Sequence, residues 1–414
     1  MRIILSTGNG RLHLVQSAVN LEKQGVDITL VQGWVPKNPD SWMVRLSAKI
    51  IGRHNLADGF KKRRPDSFHG KIVTCTFSEF FIQFLFHLSR KTGFIARNKA
   101  ALYGWKTFGW QTRKYLKDAQ IFHVRSGAGQ GGAIEKAKKK EMKVVVDHSA
   151  AHPAFMEKAL RQEYEEAKKP YMKGPNDCFW ELVLKDCENA DILLVNSEFV
   201  KKTFVNEGYP EKKIYVAYLG VRKDFQGLKN IYSIKDKIKL LFTGNFGILK
   251  GAKYILKALQ ILDKKDILYE LNVAGTYEEA KEIINKYPIK GELNLLGHIP
   301  QDNLKELLNN ADIYIFPSLC EGCASSLMEA LAAGLPAVAT DESGAPITDN
   351  INGCIVPSKN ETALSNKIEW LVNNPRERER IGRAAVLLIR ENYTWENYAR
   401  KVVSIYEKCL DIRN

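Results

Sequence analysis

The sequence has no apolar run long enough to cross a bilayer. Its longest strongly apolar stretch, around Phe80 to Leu85, falls far short of the ~18 to 20 residues that a spanning helix needs. Its start lacks the basic, apolar and small-residue succession of a secretory leader, because Met1-Arg2 runs straight into Ile3-Ile4-Leu5. A cytoplasmic protein is expected. Cysteine is sparse: seven (75, 178, 187, 320, 323, 354, 409) are scattered through 414 residues, an odd count that argues for reduced thiols rather than a disulfide framework. Cys320-x-x-Cys323 is the one close pair, and without a second it does not supply the four ligands of a zinc site, so both are read as ordinary thiols. No low-complexity region or short-period repeat occurs. With 45% hydrophobic and 26% charged residues, disorder, collagen and coiled coil are excluded for the whole chain. A domain holds about 150 residues, so the working count is two.

Acidic residues are the scarcer sign: the formal net charge is +15. From Arg45 to Lys117 there are sixteen Lys and Arg against Asp58, Asp66 and Glu79, and the remainder of the chain is nearly neutral. Trp42, Phe60, the run Phe77 to Phe86, Trp105 and Trp110 are interleaved with these cations. Lysine and arginine attract anionic headgroups, and aromatic rings suit the boundary between headgroup and acyl chain. The expected partner is an anionic membrane surface, met peripherally on the inner face of the cell membrane. Single-stranded nucleic acid also takes cations and stacking rings but is the less favoured reading. The bland alternative is a solvated basic face with the Phe-rich run buried as an amphipathic helix.

Short β-rich apolar runs alternate with helical patterns throughout, which reads as α/β with parallel sheets. The first series is Ile3 to Ser6, Asp27 to Val31, Lys71 to Thr76, Ile121 to Val124, Lys143 to Val146 and Ile192 to Val195, followed by the run 213–220. After a polar stretch near 222–235, read as a linker, the second series is Lys239 to Thr243, Tyr269 to Ala274, Leu293 to Leu296, Ile313 to Phe316, Ala337 to Ala339 and Cys354 to Val356. Two doubly wound Rossmann-like domains are expected, 1–222 and 223–394, facing across a cleft. A terminal helix in 395–414 is expected to pack back on the first. Ligands in such sheets lie beyond the carboxyl ends of the strands.

Several loops follow strands. Gly8-Asn9-Gly10 lacks the third glycine of a dinucleotide fingerprint, His13 standing in its place, so it is either a ligand loop or a tight turn. Gly127-Ala-Gly129-Gln-Gly-Gly132 does fit G-x-G-x-x-G and precedes a helical stretch, with Asp147 ending the next strand. Taken literally it is a nicotinamide or flavin site and makes an NAD(P)- or flavin-dependent oxidoreductase the alternative of a different class. His148 comes one residue past the end of that strand, where it is expected to face the cleft and donate to a hydroxyl or phosphate. His152, before Pro153, is read as a turn or cap residue.

In the second domain, Gly244-Asn245-Phe-Gly247-Ile-Leu-Lys250-Gly251 joins a strand to a helix. Its glycines admit a close ligand, the helix start offers unpaired N–H groups, and Lys250 adds a full charge: a phosphate cradle, though not a Walker loop. The sharpest signal is Pro317-Ser-Leu-Cys-Glu321-Gly-Cys-Ala324-Ser325-Ser326-Leu-Met-Glu329, with two carboxylates eight apart across a loop and a helix start. A carboxylate can accept from two sugar hydroxyls at once.

With these motifs, the segment from Asp191-Ile-Leu-Leu-Val-Asn-Ser, Leu219-Gly-Val, Gly297-His-Ile-Pro and Ala311-Asp-Ile-Tyr-Ile-Phe-Pro-Ser, the sequence resembles the retaining glycosyltransferases of family 4, which have the GT-B architecture. The resemblance implies that Glu329 binds the ribose hydroxyls of a nucleotide sugar. It places Glu321 and the amides of Ala324, Ser325 and Ser326 on the transferred sugar, and Lys250, Gly244 and Asn245 on the diphosphate. Gly8 and Gly10 approach that diphosphate from the first domain, and His148 contacts the donor sugar. It further implies net retention, the leaving phosphate helping to deprotonate the acceptor hydroxyl, with a glycan or lipid-linked acceptor in cell-surface polysaccharide or lipopolysaccharide synthesis. No D-x-D pair occurs, so no metal or other cofactor is expected. The sequence departs from the family at Asn245, where an arginine is usual. Arg11, Arg125 and Arg222 are the possible substitutes. Nucleotide-sugar epimerisation stays open, since related folds bind the same donors.

Overall fold

The computed structural model describes residues 1–8, 13–42, 44–46, 56–65, 67–92, 95–171 and 177–411. The described residues form two sheets whose strand pairs are all parallel. The first comprises β1 (Arg2–Ser6), β2 (Asp27–Gln32), β3 (Lys71–Thr74), β4 (Ile121–Arg125), β5 (Lys143–His148), β6 (Ile192–Val195) and β7 (Ile214–Val216), in the order β3-β2-β1-β4-β5-β6-β7. The second comprises β8 (Ile238–Thr243), β9 (Tyr269–Ala274), β10 (Glu292–Gly297), β11 (Ile313–Phe316), β12 (Ala337–Ala339) and β13 (Cys354–Ile355), in the order β10-β9-β8-β11-β12-β13. In each sheet the order reverses beside the first strand, between β1 and β4 and between β8 and β11, which opens a crevice at the strands' carboxyl ends.

The strands read as continuous apolar runs because both faces are covered. Neighbouring side chains of β1 serve opposite layers: Ile4 packs with Phe108, Phe122 and Ile134, whereas Ile3 and Leu5 pack with Leu14, Ala18 and Val145. The helix Trp395–Asp411 follows the second domain in sequence yet buries Tyr398, Val402, Ile405 and Tyr406 in this latter layer of the first. Two polar contacts key it there: Ser17 Oγ donates to Tyr398 Oη (3.1 Å), and His123 Nδ1 lies 2.5 Å from Tyr406 Oη.

Three expectations need correction. The strand read as Lys71 to Thr76 stops at Thr74, because Thr76 already begins the helix Thr76–Thr92. The strand read as Cys354 to Val356 is two residues long. The stretch near 222–235, read as a linker between the domains, is docked on the second: Phe225 is fully buried, Lys229 Nζ donates to the Ala311 carbonyl (2.5 Å), and Tyr232 Oη donates to the Gly334 carbonyl (2.9 Å). Its polar residues satisfy backbone carbonyls of the second domain instead of facing water.

Candidate active site

The crevice of the second domain is built from the loops after β8 and β11. After β8 the chain turns through Gly244 to Gly251, which sits at φ +77° and caps the helix Ala252–Asp263; a Cβ there would lie 2.1 Å from the Pro317 carbonyl oxygen, so only glycine fits. The two loops are clipped together, Leu319 N–H (2.8 Å) and Ser318 Oγ (2.9 Å) both donating to the Leu249 carbonyl. That clip sets Lys250 beside Glu321, and the two form an ion pair on the cleft wall. Burial pushes the Lys250 ammonium down to about 8, and Cys320 acts weakly in the opposite direction.

Lys250 and Glu321 line a cavity of about 270 Å³ whose opposite wall is Ser149, Ala150, Ala151 and Met156 of the first domain. Asn245 lines it too, its Oδ1 accepting from Thr276 Oγ1 at 2.8 Å. Just past Glu321 the domains touch. Ser197 Oγ donates to the Gly322 carbonyl at 2.5 Å, and a Cβ on Gly322 would lie 2.0 Å from the Ser149 carbonyl oxygen.

Beyond that contact the helix Ser325–Ala333 begins, and Glu329 projects into a second cavity of about 230 Å³, shared with Ser325, Arg222, His13 and Trp395. Burial pushes the Glu329 carboxyl up to about 7; Arg222 pulls it down and Asp224 pushes it further up. Of the amides expected on the sugar, that of Ala324 donates to the Ser343 carbonyl (3.0 Å). Ser325 faces the cavity, and Ser326 Oγ donates to the Thr243 carbonyl (3.1 Å).

On the first domain, Gly8 closes β1 at φ +70°, its Cα face against the Trp105 ring; Asn9, Gly10 and Arg11 lie outside the described residues. His148 departs from expectation. It is 2% exposed, stacks edge-on against Phe204, pairs its Nδ1 with Ser126 Oγ at 2.8 Å, and lines neither cavity. Burial pushes it down to about 4. The end of β5 turns the ring inward, and its neighbours Ser149 to Ala151 reach the cleft instead. His152 caps the helix Pro153–Glu166, its Nδ1 accepting from Ala154 N–H. Of the possible substitute cations, Arg125 stacks on Trp105, its Cζ 4.7 Å from the ring centroid, and Arg222 is held by Asp224 and Gln301.

The glycine loop 127–132 is filled from within. Asp186 accepts from Gly127 N–H (2.7 Å), Gly129 N–H (2.8 Å) and Gln130 Nε2 (2.6 Å), so a carboxylate of the protein occupies the donors that a dinucleotide pyrophosphate would need. Asp147 is likewise engaged, its two oxygens lying 3.0 Å from His13 Nε2 and 3.6 Å from His123 Nε2. The nicotinamide or flavin reading therefore has no site here.

Two features escaped sequence reasoning. Glu163 of the helix Pro153–Glu166 is a buried interdomain acceptor, taking Tyr254 Oη (2.6 Å), Lys253 and Lys359 (3.2 Å each) from the second domain. His13 proves to be a wall of the Glu329 cavity. Neither partner set is near in sequence. The basic segment also carries a surface: Phe77, Phe80 and Phe84 stand 54–58% exposed along one side of the helix Thr76–Thr92. Tyr103 and Trp110 stand out beside Lys106 and Arg113 on and just after the helix Arg97–Thr112. Among the described residues no helix is long and apolar enough to cross a membrane.

Residues 224–387 match the family Glycosyl transferases group 1. The chain is 23% identical over 244 residues to an uncharacterized glycosyltransferase of Methanocaldococcus jannaschii, covering 55% of this chain and 63% of that protein. It is 28% identical over 186 residues to the amylovoran biosynthesis glycosyltransferase AmsK of Erwinia amylovora, covering 42% and 46%. The match thus spans only about half to three-fifths of these relatives. Among solved structures, sucrose-phosphate synthase of Thermosynechococcus elongatus has a TM-score of 0.68 at 14% identity, with 100% of both chains covered. HepE of Anabaena in complex with UDP has a TM-score of 0.62 at 11% identity, covering 99% of this chain and 100% of that one. These likenesses show the fold: two Rossmann-like domains facing across a cleft, as in GT-B glycosyltransferases.

Proposed function

We propose that this chain is a retaining glycosyltransferase of family 4 that moves a sugar from a nucleoside-diphosphate donor to a glycan or lipid-linked acceptor in cell-surface polysaccharide or lipopolysaccharide synthesis. The observation that carries the reading is the meeting of Lys250 and Glu321 on the cleft wall, with Glu329 projecting from the adjoining helix. Lys250 neutralises the departing diphosphate, exchanging its ion pair with Glu321 for phosphate oxygens, while Glu321 takes hydroxyls of the transferred sugar. Glu329 grips the ribose. Retention follows when the leaving phosphate, still held by Lys250, accepts the proton of the incoming hydroxyl on the same face. Positioning and charge neutralisation are the catalytic work, and no metal is assigned to it.

The chain works at the cytoplasmic face of a membrane. Exposed Phe77, Phe80 and Phe84, flanked by exposed Arg90, Lys91, Lys99 and Lys106, match an anionic bilayer in both apolarity and charge.

The test is donor-dependent turnover. Glu329→Ala and Lys250→Ala should each reduce it roughly tenfold to over a hundredfold, the cost of one charge-assisted contact at about 1.5 to 3 kcal/mol. Unchanged turnover in both variants would refute the assignment.

A further inference from the structure

The cavity beside Glu329 has a first-domain wall with an unusual polar construction. His13 opens the helix His13–Glu22, and its ring is only about one-tenth exposed. Its Nε2 is turned inward to Asp147 Oδ1 at 3.0 Å. The second oxygen of Asp147 lies 3.6 Å from His123 Nε2, and His123 Nδ1 lies 2.5 Å from Tyr406 Oη. The hydrogen bond to Asp147 holds the His13 ring in place.

The chemistry of the series decides which edge of the ring does what. Burial works to push the Asp147 carboxyl up, but His13 and His123 hold it well below the usual carboxylate range, so it remains an acceptor. In a neutral His13 the proton therefore sits on Nε2, facing Asp147, and Nδ1 carries the lone pair, which no partner takes up among the described residues. Glu329, across the same cavity, is also an acceptor when ionised. Arg222 lines this space too, but its guanidinium is held by Asp224 and Gln301. Two acceptors on opposite domains suit a ligand that brings two hydroxyl donors.

We propose that His13, oriented by Asp147, is a second specificity-determining acceptor for the ribose diol of the donor nucleotide, so that each domain reads one hydroxyl. The inference rests on the reading of the cleft as a nucleotide-sugar site. It gives the first domain a direct part in selecting ribonucleotides and makes Asp147 a positioning residue.

Isothermal titration of the full chain tests it, with uridine, guanosine and adenosine diphosphates and their 2′-deoxy and 3′-deoxy forms as probes. Wild type should prefer a ribonucleotide to each of its deoxy forms by about tenfold, one hydrogen bond's worth. His13→Ala should bind that ribonucleotide about tenfold more weakly yet bind one deoxy form as wild type does, which erases that single preference. Asp147→Asn should weaken the same preference, because an amide can donate to Nε2 and drive the proton to Nδ1. His13→Asn serves if the alanine variant does not fold. A folded His13 variant that binds the ribonucleotide as wild type does, or loses all three forms equally, overturns the inference and leaves the cleft reading intact. A wild type that binds no member of the panel overturns the cleft reading itself, and this inference with it.

Discussion

Glu329 should be a residue the empty protein would be more stable without. Burial raises its carboxyl from the ordinary 4.5 to about 7, so the folded state holds the proton more tightly than the unfolded chain does. The sign follows: between these two values the folded state carries more bound proton, and stability falls as pH climbs through the interval, then levels off above it. At 1.36 kcal/mol per pH unit the interval of about 2.5 makes the ionised side chain cost on the order of 3 kcal/mol at pH 8. Glu329→Gln keeps the shape and cannot ionise. It should melt several degrees above wild type at pH 8, by the usual ~2 to 4 °C per kcal/mol for a domain of this size, and close to wild type at pH 4.5. The same variant should lose donor turnover, because a neutral amide accepts more weakly from a diol. A binding site that holds an unpaired acid against its own stability shows both effects together. Coincident melting curves at pH 8 would show that Glu329 is not desolvated, and full turnover would show that its charge is not used.

Asp186→Ala should destabilise the first domain by about 3 kcal/mol or more, read by chemical denaturation, because it leaves two buried glycine N–H groups and the Gln130 amide without their acceptor. Glu163→Ala should loosen the cleft, raising the radius of gyration in solution scattering and speeding amide exchange in the helices Pro153–Glu166 and Ala252–Asp263, since Tyr254, Lys253 and Lys359 all lose one partner. Joint replacement of Phe77, Phe80 and Phe84 by serine should release the chain from anionic vesicles while the wild type binds them in a salt-sensitive way. Equal pelleting of wild type with neutral and anionic vesicles would remove the charge from the account.

The fold was legible in outline because doubly covered strands announce themselves. Ile192 to Val195 are all buried and all apolar, so neither period nor context is needed to read them. Errors fell where local chemistry is indifferent. Thr74, Cys75 and Thr76 carry the same β-branched or small character, yet a hydrogen bond between Thr74 Oγ1 and Thr76 Oγ1 spans the point at which strand becomes helix. Lys229 and Tyr232 fell in a stretch read only as a polar linker, because polarity in sequence is blind to a buried carbonyl waiting 82 or 102 residues away.

The site divides along the same line. Gly251, Lys250 and Glu321 were readable because they sit on the loops that follow strands, where the turn at Gly251 demands glycine, and Glu329 because it lies on the helix that the second of those loops begins. What could not be read is what fills a loop once it is made. Gly127 to Gly132 has the spacing of a phosphate cradle, and the nest of N–H groups is there. Asp186 answers it, about sixty residues further on, with the same chemistry that a phosphate would bring: an anion accepting from backbone N–H groups. A glycine motif therefore specifies a demand for negative charge and leaves the supplier open. Around Lys250 the demand runs the other way. The cation is met by Glu321, about one-fifth exposed on the cleft wall, whereas Asp186 is fully buried and pinned by three donors. Exchangeability of the internal partner, and not the motif, separates a ligand site from a structural one in this chain.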